Sequence, residues 1–100
     1  MVFIGRYNEL NPGKGYPSMR DFFSDGPYEG QSKIIAYLKH GKEDIVSSAI
    51  PKDVFTGRSI KMEKIGMNDG EYSWFNTLAY YVKRYNLRLP EEFEKKILEG

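Results

Sequence analysis

One hundred residues, 40% of them hydrophobic and none of them cysteine, specify a single domain and exclude both a disulfide framework and a thiolate metal site. Fifteen basic and 14 acidic residues leave a net charge of +1, without the basic excess that a nucleic-acid-binding domain carries. An aromatic share of 15% supplies the core area that disordered chains lack.

The chain opens on Met-Val-Phe-Ile before Gly5 and Arg6. That run is too short for the apolar region of a signal peptide or for a membrane span, so a cytoplasmic location with no membrane partner is the expectation. Within residues 2–10, VFIGRY is a candidate short strand. Asn11-Pro12-Gly13-Lys14-Gly15 is a loop, since Pro and two Gly leave nothing regular to propagate. Ser18 is a candidate N-cap, with Asp21 three residues later as its capping-box partner, for a short helix carrying Met19, Phe22 and Phe23. Ser24-Asp25-Gly26-Pro27 ends it. Ile34, Ile35, Tyr37 and Leu38 predict a second helix over about 29–40, with Gly41 as its C-terminal cap.

Residues 44–50, DIVSSAI, predict a strand between Gly41 and Pro51. Residues 53–57 read as a turn or a single helical turn, and 60–64 as a second strand by alternation. Asn68-Asp69-Gly70 predicts a chain reversal into Glu71, Tyr72 and Ser73. Trp74, Leu78, Tyr81 and Tyr85 fall at helical spacing and predict a third helix, with Asn86 as a left-handed cap. Pro90 fits the first position of a fourth helix, whose Phe93, Ile97 and Leu98 face inward. The pattern as a whole predicts an α+β domain over residues 1–100, with about four helices and a small antiparallel sheet or hairpin.

No set of residues assembles a credible reactive centre. Gly13-Lys14-Gly15 resembles the end of a phosphate loop, but Tyr16 stands where Ser or Thr should follow. His40 is the only histidine, and its place at a helix end explains it without catalysis or metal binding. Ser47 and Ser48 lack the Gly-flanked elbow of a nucleophile. Asp69 and Glu71 could act as a carboxylate pair or bind a hard cation, although Asp before Gly is ordinary turn chemistry. The rings of Tyr72, Trp74, Phe75, Tyr80, Tyr81 and Tyr85 suit a core first and a protein interface second. Tyr80 lies off the apolar stripe and is the candidate for exposure. No cofactor is called for.

Two runs, PSMRDFFSDGPYEGQSKIIAYLKHG and DGEYSWFNTLAYYVKRYNLRLPEEF, resemble small bacterial immunity proteins encoded beside polymorphic toxins, including those of contact-dependent growth inhibition systems. The resemblance covers most of the chain after Tyr16 and rests on fold-defining residues: Asp69-Gly70-Glu71-Tyr72 with Trp74, Leu78-Ala79-Tyr80-Tyr81-Val82, Tyr85-Asn86-Leu87 and Leu89-Pro90. It implies a toxin inhibitor that is not an enzyme and binds its cognate toxin, a nuclease in many such systems, stoichiometrically. A nuclease surface built for phosphates is positive, so acidic side chains would complement it. Asp21, Asp25 and Glu29 bracket one loop and Asp69 and Glu71 sit at another; with Tyr80 these are the candidate partner-binding residues. Two other readings stand beside it: a regulatory or adaptor module that binds another cytosolic protein, and a small hydrolase working through Asp69 and Glu71.

Overall fold

The Asn68-Asp69-Gly70 reversal is built as the sequence predicts. The Asn68 carboxamide accepts from the Gly70 N–H, and one Asp69 carboxylate oxygen accepts from the N–H groups of Glu71 and Tyr72, at 2.9 and 2.6 Å. Gly70 takes φ +93°, which a side chain would resist. This turn joins β3 (Lys64–Asn68) to β4 (Tyr72–Phe75) in a computed structural model that describes residues 1–100. The remaining elements are β1 (Val2–Phe3), a 3-10 turn (Met19–Phe22), α1 (Gln31–Lys39), β2 (Lys42–Ser47), α2 (Thr77–Tyr85) and α3 (Glu91–Glu99). The domain is α+β, with three α-helices and a four-stranded sheet in the order β1-β4-β3-β2.

The sheet is mixed. β2, β3 and β4 run antiparallel to their neighbours, but β1 lies parallel to β4. The N–H groups of Val2 and Ile4 donate to the carbonyls of Glu71 and Ser73, at 3.0 and 2.7 Å. Of VFIGRY, only Val2 and Phe3 are strand.

Helices α1 and α3 cover the sheet face that carries Tyr72 and Trp74. The Trp74 indole N–H donates to the Leu38 carbonyl at the end of α1. Its ring lies 5.5 Å from that of Phe93 in α3, and the Tyr72 ring lies 4.7 Å from Phe93. Helix α2 packs on α1 through a face that buries Leu78, Ala79, Tyr81 and Val82. Met19, Ile34, Leu38, Leu87 and Ile97 belong to the same buried core.

Several boundaries depart from the sequence expectations. Trp74 and Phe75 belong to β4, so Trp74 does not open the helical stripe; α2 begins at Thr77 and Asn86 caps it in the left-handed region as expected. The second strand lies at 64–68 and not at 60–64, where Ile60 is instead a buried core residue whose N–H donates to the Pro51 carbonyl. β2 starts two residues before 44 and ends at Ser47. Gly41 does not cap α1 in the left-handed region. It is glycine because a Cβ there would sit 2.8 Å from the Trp74 ring. Pro90 precedes α3, whose first residue is Glu91, and Leu98 is partly exposed.

Candidate functional site

Loop 18–30 runs over the surface and is held at many points. The Ser18 side chain caps the 3-10 turn by accepting from the Arg20 N–H. Asp21 does not complete a capping box. Glu9 does that work from a distance: its carboxylate accepts from the Met19 N–H at 2.8 Å and from the Ser18 hydroxyl. Burial raises the Glu9 pKa, but these hydrogen bonds outweigh it and hold the group below the usual carboxylate range. Downstream, Phe23 pairs with Leu87, the Ser24 N–H donates to the Asn86 carbonyl, and the Arg88 N–H donates to the Phe22 carbonyl. The Tyr28 hydroxyl donates to the Leu87 carbonyl at 2.6 Å. The buried Gln31 carboxamide bonds both Val82 and Asn86. The loop is therefore fixed along the α2–α3 connection.

What this loop presents outward is acidic. Asp21, Asp25 and Glu29 are exposed, and none of them makes a side-chain hydrogen bond or ion pair. Phe22 lies between the first two and is 40% exposed, with one edge tilted against Tyr7. The neighbouring cations are already occupied. The Arg88 guanidinium makes a two-pronged bond to the buried Glu94, and Arg20 lies 4.5 Å over the Phe55 ring. The loop thus sets three exposed, unpaired carboxylates against the single guanidinium of Arg20.

Asp69 and Glu71 come together, but around a lysine. Lys96 of α3 lies 3.0 Å from Asp69 and 2.8 Å from Glu71. Asp69 also accepts from the Tyr37 hydroxyl and from two backbone N–H groups. Burial pushes its pKa up, but those donors and Lys96 more than reverse this, and the carboxyl stays well below the usual range. In return, burial and the Asp69 carboxylate push the Tyr37 hydroxyl up to about 12. All the lone pairs of Asp69 are committed to holding the turn, β4 and α3 together. Glu71 is mostly exposed. No hydrogen bond or ion pair links this pair to the acidic loop.

Tyr80 is not a free ring. It is half-buried, and its hydroxyl donates to Asp53 at 2.6 Å. Asp53 is the residue the sequence reading missed. Its side chain is 1% exposed and accepts from the hydroxyls of Tyr80 and Tyr85 and from the N–H groups of Phe55 and Thr56. Arg84 lies 3.7 Å away. Burial works against its ionisation, yet the four donors lower its pKa. This cluster ties segment 51–60 to α2. An Asp two residues before Phe55 signals the turn; only the fold brings the tyrosines to it.

The other candidates find structural roles. His40 is exposed, with Nδ1 2.7 Å from the Ala36 carbonyl. Ser47 accepts from the Ala49 N–H, and Ser48 is exposed. Residues 13–15 lie in an exposed turn that leads to no α-helix before Gln31. No group of three or more His, Cys, Asp or Glu side chains is placed to hold a metal ion, and no helix is long and apolar enough to cross a membrane. Comparison of the chain with protein families, characterised proteins and solved structures finds no match.

Proposed function

We propose that this chain is an immunity-type protein of the bacterial cytoplasm, which neutralises a cognate toxin by stoichiometric binding, and that loop 18–30 is its contact surface. The observation that carries the reading is the exposed, unpaired set Asp21, Asp25 and Glu29 around Phe22, which outnumbers the loop's one guanidinium, Arg20, on a backbone fixed along the α2–α3 connection. A rigid loop binds without an ordering cost. Its carboxylates suit a surface rich in Lys and Arg, such as the substrate face of a nuclease, and steer association toward it. Phe22 offers the aromatic anchor that dominates many interfaces. The resemblance of residues 17–41 and 69–93 to immunity proteins supports the same reading. The polar groups of Asp69 and Tyr80 are engaged inside the fold, so the proposed contact surface is drawn without them.

The test is calorimetric titration of the purified chain into the protein encoded beside it. One chain bound per toxin, with toxin activity lost at the equivalence point, is expected. No binding to that neighbour, or toxin activity that persists at saturation, would refute the reading.

A further inference from the structure

The end of β1 and the start of α2 line a small cavity of about 110 Å³. Its inner side is apolar, where Ile4, Leu78 and Tyr81 are buried. Tyr81 offers only its ring, because its hydroxyl donates to the Lys52 carbonyl and accepts from the Val54 N–H. Phe3 and Phe75 add an edge-to-face pair, with ring centroids 5.7 Å apart. A closed apolar cavity of about 150 Å³ stays dry and takes up benzene. The smaller space here is open to solvent, so it admits one ring with its substituent at the mouth. It is too small for a segment of polypeptide.

The polar part of the lining selects the substituent. Lys64 is the only charged residue of the cavity. Its ammonium lies 4.3 Å over the Phe75 ring and makes no ion pair. Lys64 also lines the adjoining cleft, where the one carboxylate is Glu9. Glu9 is already bonded to the Ser18 hydroxyl and the Met19 N–H, so it does not neutralise the lysine. Thr77 contributes a hydroxyl to the same lining. Apolar pockets with a few convergent polar groups take ligands whose orientation those groups fix. We propose that this cavity binds a small carboxylic acid carrying a single aromatic ring. The ring packs on Phe3, Phe75 and Leu78, and the carboxylate pairs with Lys64, with Thr77 as a further donor. No residue of loop 18–30 lines the cavity, so the site goes beyond the toxin-binding reading and is tested without it.

Titration of the isotope-labelled chain, followed by its amide shifts, tests the site with single-ring probes that differ in charge: phenylacetate, benzyl alcohol and benzylamine. Phenylacetate should give saturable shifts at Gly5, Lys64, Thr77 and Leu78, with a Kd of about 1 mM for so few atoms. Benzyl alcohol should bind about tenfold more weakly, for want of a charged partner for Lys64. Benzylamine, which Lys64 repels, should bind more weakly still. Lys64→Met keeps an apolar stem and removes the charge. It should weaken phenylacetate about tenfold, to the level of the alcohol, and leave the alcohol's affinity unchanged. No saturable shift from phenylacetate up to about 20 mM, or benzylamine bound as tightly as phenylacetate, overturns the proposal, and neither result depends on the variant. A Lys64→Met chain that binds phenylacetate like the parent overturns it as well.

Discussion

Asp53→Ala removes the acceptor on which segment 51–60 and α2 meet. Four donors lose their partner: the Tyr80 and Tyr85 hydroxyls and the Phe55 and Thr56 N–H groups. Each donor stranded away from water costs about 1–3 kcal/mol. Thr56 is exposed and both tyrosines are half-buried, so water recovers part of that loss. The Arg84 pairing adds little, because its side chain is 56% exposed. A net loss of about 3 kcal/mol follows, within the range for breaking a buried charged network. Asp53→Asn keeps one acceptor oxygen for the turn and should cost about half as much on the same reasoning. Urea unfolding followed by far-ultraviolet circular dichroism measures both. The pH dependence gives a second readout. The folded-state pKa of Asp53 is depressed, so its stabilisation is complete above the unfolded value of about 3.9 and is lost as pH falls below it. The parent should therefore lose stability more steeply below about pH 4 than Asp53→Asn does. An Asp53→Ala variant within about 0.5 kcal/mol of the parent would refute the reasoning, since that is the size of an unremarkable surface change.

Trp74→Ala empties a site in which the ring is 1% exposed and packed on Phe93, Tyr37 and Gly41. It should cost about 3–5 kcal/mol, and a melting temperature within a few degrees of the parent would contradict the burial. Gly41→Ala drives a Cβ to within 2.8 Å of the same ring and 3.1 Å of the Asn68 carbonyl. Thermal melts should show a loss of about 1–3 kcal/mol from overpacking, whereas no loss would mean that the ring yields freely. Lys96→Met takes one donor from Asp69 and should raise that carboxyl's pKa, read by the carboxyl carbon shift in a pH titration. An unmoved midpoint would show that Lys96 does not engage it.

Local chemistry made the reversal at 68–70, the Asn86 cap and the helices after 30 and 90 legible, because each is decided within a few residues. Misplacements arose where two periods agree or where context decides. Trp74 and Leu78 are four apart, which fits a helix. Tyr72 and Trp74 also alternate with Ser73 and Phe75, which fits a strand, and pairing with Met67 settles it. β3 escaped notice because Gly66 weakens any strand pattern, yet that glycine lies opposite the β2 bulge. Asp21 looked like a capping partner, but Glu9, nine residues before Ser18, reaches the site first. In the sequence Asp53 shows only turn chemistry, because its tyrosines lie 27 and 32 residues away. Tyr80, off the apolar stripe, reads as the candidate for exposure for the same reason: its acceptor Asp53 is distant in sequence. Asp69 reads from the sequence as a free carboxylate because its partner Lys96 is reached only through α3.

The measurement that bears most directly on the central claim is the affinity of loop variants for the neighbouring toxin at two salt concentrations. Asp21→Lys, Asp25→Lys and Glu29→Lys should each slow association, and added salt should shrink the difference from the parent. Phe22→Ala should speed dissociation by tenfold or more, as about 2 kcal/mol from an aromatic anchor requires. The three carboxylates are exposed, so their variants should melt at the parent temperature, and Phe22→Ala, which also gives up packing on Tyr7, is compared at a temperature where it remains folded. If all four variants bind the toxin like the parent and salt has no effect, loop 18–30 is not the contact surface and the acidic-capture account is contradicted.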